Sequence, residues 1–282
     1  MLEVSKLRES YAITNTQIEE LERRGFLILR QVFSAEERGK YFPILRDYVI
    51  NVQAAGKTQD AVPFGNPAGP PSSDASAVAI GAAGERAGKT AFNLEDAPPD
   101  VVDFITSSRL GEIAARLLAV EGVRLMHFSG LFKPPGSPGT PLHQDLSYLP
   151  LDTDRELTAW IPLMDITADK GALIFAEGSH QLGEVDDPMS VPRDKFSFKQ
   201  TGAMHAGDIS LHLGWTIHGS LKNATSHVRE AFGISYYADG ARIQLHGKAR
   251  FMKTLLDSSF AGLSPGDLAA GPKNPVIFPV AG

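Results

Sequence analysis

Pro141-Leu142-His143-Gln144-Asp145 and Trp215-Thr216-Ile217-His218-Gly219-Ser220 are the two stretches around which the rest of the chain arranges itself. His143 and Asp145 are two residues apart, so an extended strand would send both side chains from one face. His218, 73 residues beyond Asp145, can join them from a strand that folds back beside the first. Two imidazoles and one carboxylate on one face of a metal, with the other positions open, is how oxygen-activating non-haem Fe(II) is held. Arg229 follows His218 by eleven residues and leads into the apolar run Ala231-Phe232-Gly233-Ile234-Ser235-Tyr236-Tyr237. A guanidinium pointing inward there needs a buried anion, and its planar fork suits the far carboxylate of a diacid.

Outward from these stretches, residues 123–238 break into short apolar segments separated by turns, the pattern of an all-β region. Strands are expected at 123–133, 141–148, 157–164, 172–176, 196–204, 208–213, 216–220 and 229–238. That is about eight strands, enough to close a double-sheet jelly roll. The N-terminal region reads as helical. A helix over 18–24, capped by Thr16 or Asn15, stops at Gly25, and a strand follows over 26–30. Ser34 caps a second helix over 35–52, which Pro43 can kink. A third, from Pro98 or Pro99 to about 119, turns Val102, Ile105, Leu110, Ile113, Leu117 and Leu118 inward and stops at Gly122. Between them, 53–90 is rich in Gly, Ala, Pro and Ser and is expected to be a lid over the site, or else a mobile linker. The tail, 241–282, holds one helical piece over 248–256 and then coil.

With 282 residues, the chain suits one large domain: a helical N-terminal region over 1–122, a β core over 123–240 and the tail. Hydrophobic residues at 43% and charged residues at 21% are an ordinary globular balance. The net charge of −6 argues against nucleic acid, which asks for a basic stripe, and leaves no polybasic patch for anionic lipid. The absence of cysteine removes disulfide frameworks, zinc-thiolate sites, iron–sulfur clusters and cysteine nucleophiles together. No apolar run reaches the roughly 18 residues a bilayer span requires. The opening Met1-Leu2-Glu3-Val4-Ser5-Lys6 has no uncharged apolar core, so a cytoplasmic, soluble protein is the expectation, and the acidic balance leans to a small-molecule substrate. Oligomeric state has no signature in the pattern.

Each candidate has a plainer reading. His212, in Ile209-Ser210-Leu211-His212-Leu213, is the rival for the third ligand; a strand turn leads to His218, and the spacing from His218 to Arg229 suits adjacent strands. His180 suits a turn that bonds backbone, and His127, His205, His227 and His246 read as structural or surface residues. Arg229 has the alternative of a salt bridge to Glu230 or Asp208. Trp160 is a core aromatic by base rate and a cosubstrate contact on the sharper reading. Ser220 either hydrogen-bonds a carboxylate or ends its strand.

These residues resemble the phytanoyl-CoA dioxygenase (PhyH) family of Fe(II)/2-oxoglutarate-dependent oxygenases. The likeness runs through Arg24-Gly25-Phe26-Leu27-Ile28-Leu29, Phe132-Lys133-Pro134-Pro135-Gly136, His143-Gln144-Asp145 and Ala159-Trp160-Ile161-Pro162-Leu163-Met164-Asp165. It continues in Gly171-Ala172-Leu173, Gly178-Ser179-His180, Gly207-Asp208, His218-Gly219-Ser220 and Arg229, leaving 53–90 and the tail unmatched. The resemblance implies a mainly β, double-stranded β-helix (jelly-roll or cupin-like) core with flanking N-terminal helices. It implies Fe(II) held by His143, Asp145 and His218, with O2 and 2-oxoglutarate as cosubstrates, the latter bound through Arg229 and Ser220 with Trp160 lining the pocket. Some members acting on natural products have Thr where this chain has Leu173. Asp145 disfavours halogenation, for which related enzymes replace the carboxylate with a small residue. The implied reaction is oxidation, by default hydroxylation, of a small organic metabolite, with 2-oxoglutarate converted to succinate and CO2. Two other classes stay open: a cupin-like metal- or sugar-binding barrel without oxygenase activity, and a zinc hydrolase, since two His and one Asp also hold Zn(II).

Overall fold

A computed structural model describes residues 7, 9–55, 88–92, 94–246 and 249–279. The N-terminal helix α1 (Asn15–Arg24) begins one residue earlier than a cap at Asn15 allows and two earlier than a cap at Thr16. Thr14 accepts from the Gln17 N–H while the Gln17 side chain reaches back to Thr14, a reciprocal cap. Gly25 ends it in the left-handed region, φ 81°, and releases the chain into strand β1 (Phe26–Leu29). Helix α2 (Ala35–Ala54) carries the same kind of cap at Ser34 and Glu37. It continues through Pro43 rather than restarting there, at the cost of one backbone bond. The single helix expected near 98–119 is two, α3 (Pro99–Ile105) and α4 (Ser108–Leu118). Ser107 breaks them by capping α4 through the Leu110 N–H, and Val101 and Phe104 are buried in place of Val102.

At both ends of the loop expected over 53–90 the described residues are regular structure. Gln53 and Ala54 finish α2, and Gly88–Phe92 forms strand β2 against the next strand, β3 (Val123–Phe132). Residues 56–87, on which the lid expectation chiefly falls, lie outside the described residues.

The β region then contributes β4 (Thr140–His143), β5 (Glu156–Pro162), β6 (Leu173–Ala176), β7 (Phe198–Gln200), β8 (Ile209–Leu213), β9 (His218–Ser220) and β10 (Ala231–Ala238). Helix α5 (Ala249–Ser259) lies in the tail, where a short strand absent from the sequence expectation, β11 (Val276–Phe278), also pairs with β3. Two antiparallel sheets result. The larger has the order β1-β8-β5-β10-β3-β11, with β2 also on β3; the smaller has the order β4-β9-β6-β7. This is the expected mainly β jelly roll with helices at its flank.

Alternation along each strand decides what each face meets. Phe232 packs outward on the large sheet with Phe104, Phe33, Tyr41 and Phe42 from the helical layer. Its neighbour Ala231 faces the other way, into the space between the sheets, with Phe26, Trp160, Leu173 and Phe175. Phe26 and Phe175 stack there face to face, ring centroids 4.3 Å apart at 9°. β5 is buried along its whole length because helices cover one of its faces and the small sheet covers the other. Among the described residues, no helix is long and apolar enough to cross a membrane.

Candidate metal centre

β4 and β9 are antiparallel neighbours, and their register sets His143 opposite His218. Gly219 permits the closeness, since a Cβ there would stand 2.5 Å from the Thr140 carbonyl oxygen. The rings lie 4.2 Å apart, both largely buried. His143 Nδ1–H donates to the Pro141 carbonyl at 2.8 Å and His218 Nδ1–H to the Thr216 carbonyl at 2.9 Å. A carbonyl only accepts, so each imidazole carries its proton on Nδ1 and presents a lone pair at Nε2. Both Nε2 atoms face Asp145 Oδ1, at 3.5 Å from His143 and 3.9 Å from His218.

Asp145 arrives there by a different route from the one expected. The strand stops at His143, and Asp145 has helical dihedrals (φ −62°, ψ −44°) at the head of a 3-10 turn. Gln144 accounts for the break. Fully buried between the two, it donates from Nε2 to Gly183 O and Trp215 O, each at 2.7 Å, and accepts from Val185 N–H at 2.8 Å. The turn that results swings the carboxylate back beside the imidazoles. One ligand atom from each of His143, Asp145 and His218 lies within 4.8 Å of the others. Burial pushes the Asp145 carboxyl up, but the surrounding histidines, His218 foremost and then His143 and His212, outweigh it and hold it well below the usual carboxylate range. Burial, helped by the neighbouring imidazoles, holds His218 well below the ordinary histidine value. An ionised carboxylate and neutral imidazoles are the forms that bind metal. Two nitrogens and one oxygen are a donor set that fits a divalent metal such as iron.

His212, the rival, stands on β8 and approaches from the opposite sheet. Its Nε2 is 3.1 Å from Asp145 Oδ2, the oxygen turned away from the other two histidines. His180 bonds the Glu22 carbonyl from a turn, as its context suggests. His205, His227 and His246 contact Asp165, Ser226 and Glu184 respectively, away from the triad.

Arg229 does not lie on a strand next to β9. It precedes β10 in the large sheet's chain and forms an isolated bridge with Lys133 at the end of β3. Its side chain turns inward nonetheless, 4% exposed, donating to Gly171 O and Leu131 O at 2.9 Å each, with the guanidinium 5.3 Å over the Trp160 ring. Neither expected surface partner takes it: Glu230 pairs with Arg46 and Asp208 with Arg30. Its Nε makes no hydrogen bond among the described residues. Ser220 is buried two residues beyond His218, its Oγ 2.7 Å from Lys133 Nζ and 2.8 Å from Thr140 Oγ1.

Lys133 is the residue that sequence reasoning misses. Only 1% exposed, it also donates to the Pro138 carbonyl at 2.9 Å. Burial, with the Arg229 guanidinium nearby, pushes its ammonium down to about 7. Arg229 is pushed down to about 10 by burial. Among the described residues neither cation has a carboxylate partner, so Arg229 and Lys133, the latter bonded to Ser220 two residues past His218, are buried near one another without a counter-ion. The signal available in the sequence was a lone lysine closing the apolar strand Gly130-Leu131-Phe132-Lys133.

A profile described as Phytanoyl-CoA dioxygenase (PhyH) matches residues 21–231. Among curated proteins, 1-deoxypentalenic acid 11-beta-hydroxylase of Streptomyces arenae is 31% identical over 101 residues, 30% of this chain and 35% of that protein. A probable alpha-ketoglutarate-dependent hypophosphite dioxygenase of Stutzerimonas stutzeri is 28% identical over 160 residues, 50% of this chain and 54% of that protein. The chain thus spans between a third and about half the length of the curated relatives it matches. Among solved structures, the non-heme alpha ketoglutarate dependent carbocyclase SnoK from nogalamycin biosynthesis superposes with a TM-score of 0.72 at 21% identity, covering 94% of this chain and 96% of that one.

Proposed function

The chain belongs to the phytanoyl-CoA dioxygenase family, and from that premise we propose that it is an Fe(II)- and 2-oxoglutarate-dependent dioxygenase that hydroxylates a small organic metabolite. The observation that carries this reading is the pair of buried cations, Lys133 and Arg229, which lack a carboxylate partner among the described residues, in a chain that also holds a two-histidine, one-carboxylate cluster. A metal site alone accounts for the cluster; only a site that also takes an anion accounts for the cations.

His143 and His218 offer Nε2 because their Nδ1–H groups are spent on backbone carbonyls, and Asp145 offers Oδ1. Arg229 and Lys133 anchor the far carboxylate of the keto-diacid, and Ser220 contributes a hydroxyl between Lys133 and Thr140. Trp160 stacks under the guanidinium and keeps water from it, which strengthens the ionic contact. When bound, iron with 2-oxoglutarate supplies the oxidation, reducing O2 with two electrons from decarboxylation to succinate and CO2 and two from a substrate C–H bond. The chain contributes ligand geometry, charge for the cosubstrate, and dry walls from the apolar space between the sheets. Helical layer and β core work as one catalytic domain over 1–282. A hydroxylase and a carbocyclase stand among its relatives; hydroxylation is the simpler outcome and is the one proposed.

O2-dependent release of succinate from 2-oxoglutarate and Fe(II), measured against Asp145→Ala, tests the proposal. Succinate above the variant is expected. Metal binding with no succinate and no 2-oxoglutarate binding would instead indicate a non-catalytic barrel.

A further inference from the structure

The Asp145 carboxylate is divided between two sheets. Oδ1 faces the His143 and His218 nitrogens of the small sheet. Oδ2 faces the large sheet, where His212 Nε2 lies at 3.1 Å and Thr158 Oγ1 at 3.0 Å. Those two donors are direct cross-strand partners on β8 and β5, so they aim at one oxygen from a single rigid face. Thr158 has only one proton and stands also 3.1 Å from Glu156 Oε1 and 2.7 Å from Ser235 Oγ. His212 is therefore the donor whose direction is settled.

His212 makes little sense as packing alone. It is 2% exposed, its ring 5.5 Å from Phe175 and 4.1 Å from His218, and its Nδ1 makes no hydrogen bond among the described residues. A phenylalanine would fill that aromatic niche without burying an unmatched nitrogen. Among the described residues, the polar contact repaying the imidazole is the bond to Asp145 Oδ2.

We propose that His212 is a positioning residue that holds Asp145 as a single-oxygen ligand. By occupying Oδ2, its Nε2–H prevents the carboxylate from rotating to chelate the metal with both oxygens. That keeps one position on the metal available for cosubstrate or O2. The inference rests on the metal reading above and adds to it the group that sets the denticity of the carboxylate.

The test compares His212→Phe, which keeps the ring and loses the donor, with His212→Gln, whose amide N–H can still reach Oδ2. Each purified protein is checked for its melting temperature, loaded anaerobically with Co(II), and followed by visible absorption and by metal titration. Hydrogen-bond partners of metal ligands typically change affinity by about 10- to 100-fold. His212→Phe is expected to weaken Co(II) binding within that range and to alter the ligand-field bands, while His212→Gln retains most of both. His212→Phe with wild-type bands and affinity overturns the proposal, as does His212→Gln behaving like His212→Phe, because the donor would then be irrelevant. If the folded wild-type protein fails to bind Co(II), the metal reading itself falls.

Discussion

His143 and His218 stand directly opposite one another across β4 and β9, their rings 4.2 Å apart and each Nδ1 tied to a backbone carbonyl two residues earlier in the chain. The two ligands thus have their proton positions set by backbone before any metal arrives. A backbone acceptor cannot itself be replaced by mutation, so the arrangement depends on the strands staying in register.

Gly219→Ala probes that register. A Cβ at 219 would stand 2.5 Å from the Thr140 oxygen and 3.2 Å from the Pro141 oxygen, both backbone atoms. The strands must part, and overpacking of this kind costs about 1–3 kcal/mol. A lower melting temperature together with weaker metal binding is expected; unchanged metal titration would show that the pairing does not govern the site.

Arg229→Met should weaken 2-oxoglutarate binding without removing the metal. Truncating one partner of a buried charged contact costs about 2–5 kcal/mol, at least ~30-fold in Kd. Lys133→Met should weaken it less, since Arg229 remains. Isothermal titration of the metal-loaded proteins measures both, and equal affinity in wild type and Arg229→Met would remove the anchor assignment.

The pH dependence follows from Lys133. Its ammonium is pushed from 10.5 to about 7, so between those values the folded protein binds fewer protons at this site than the unfolded chain. This site's contribution to stability therefore rises with pH across that window, and the penalty for holding the charge is full below about 7. An anion in the pocket favours the ammonium, so 2-oxoglutarate binding should take up a proton above pH 7 and weaken as pH rises. Titrations in buffers of differing ionisation enthalpy report the uptake, and Lys133→Met should abolish it.

Much of this was legible in the sequence, for physical reasons. Short apolar segments between Gly- and Pro-bearing turns identify the β core, and His143, Asp145, His218 and Arg229 stand out as polar residues inside it. What misleads is local geometry imposed from a distance. His-X-Asp reads as two residues on one strand face, whereas Gln144, bonded to Gly183, Val185 and Trp215, ends the strand and sends Asp145 round a turn. Lys133 looks like a strand-end surface charge until the fold brings Ser220 and Arg229 beside it. His212 competes with His218 on paper because both sit in alternating strands, and only the opposition of two sheets assigns them different oxygens of one carboxylate. The break at Ser107 is a capping event inside an otherwise continuous apolar pattern.

Phe104→Ala separates stability from the site. Phe104 is fully buried, 5.3 Å from Phe33, 5.5 Å from Tyr41 and 6.5 Å from both Phe42 and Phe232, on the large sheet's far face from the triad. Truncation should cost about 3–5 kcal/mol in denaturant unfolding. Metal affinity of the folded protein should not change, and a matching loss of metal binding would show that the helical layer shapes the ligands.

Anaerobic addition of Fe(II) and then 2-oxoglutarate to the wild-type protein, followed by visible absorption, tests the central claim most directly. A weak charge-transfer band that saturates with 2-oxoglutarate and is absent in His143→Ala is the predicted result. No band in the wild type, or one that persists in His143→Ala, would contradict it.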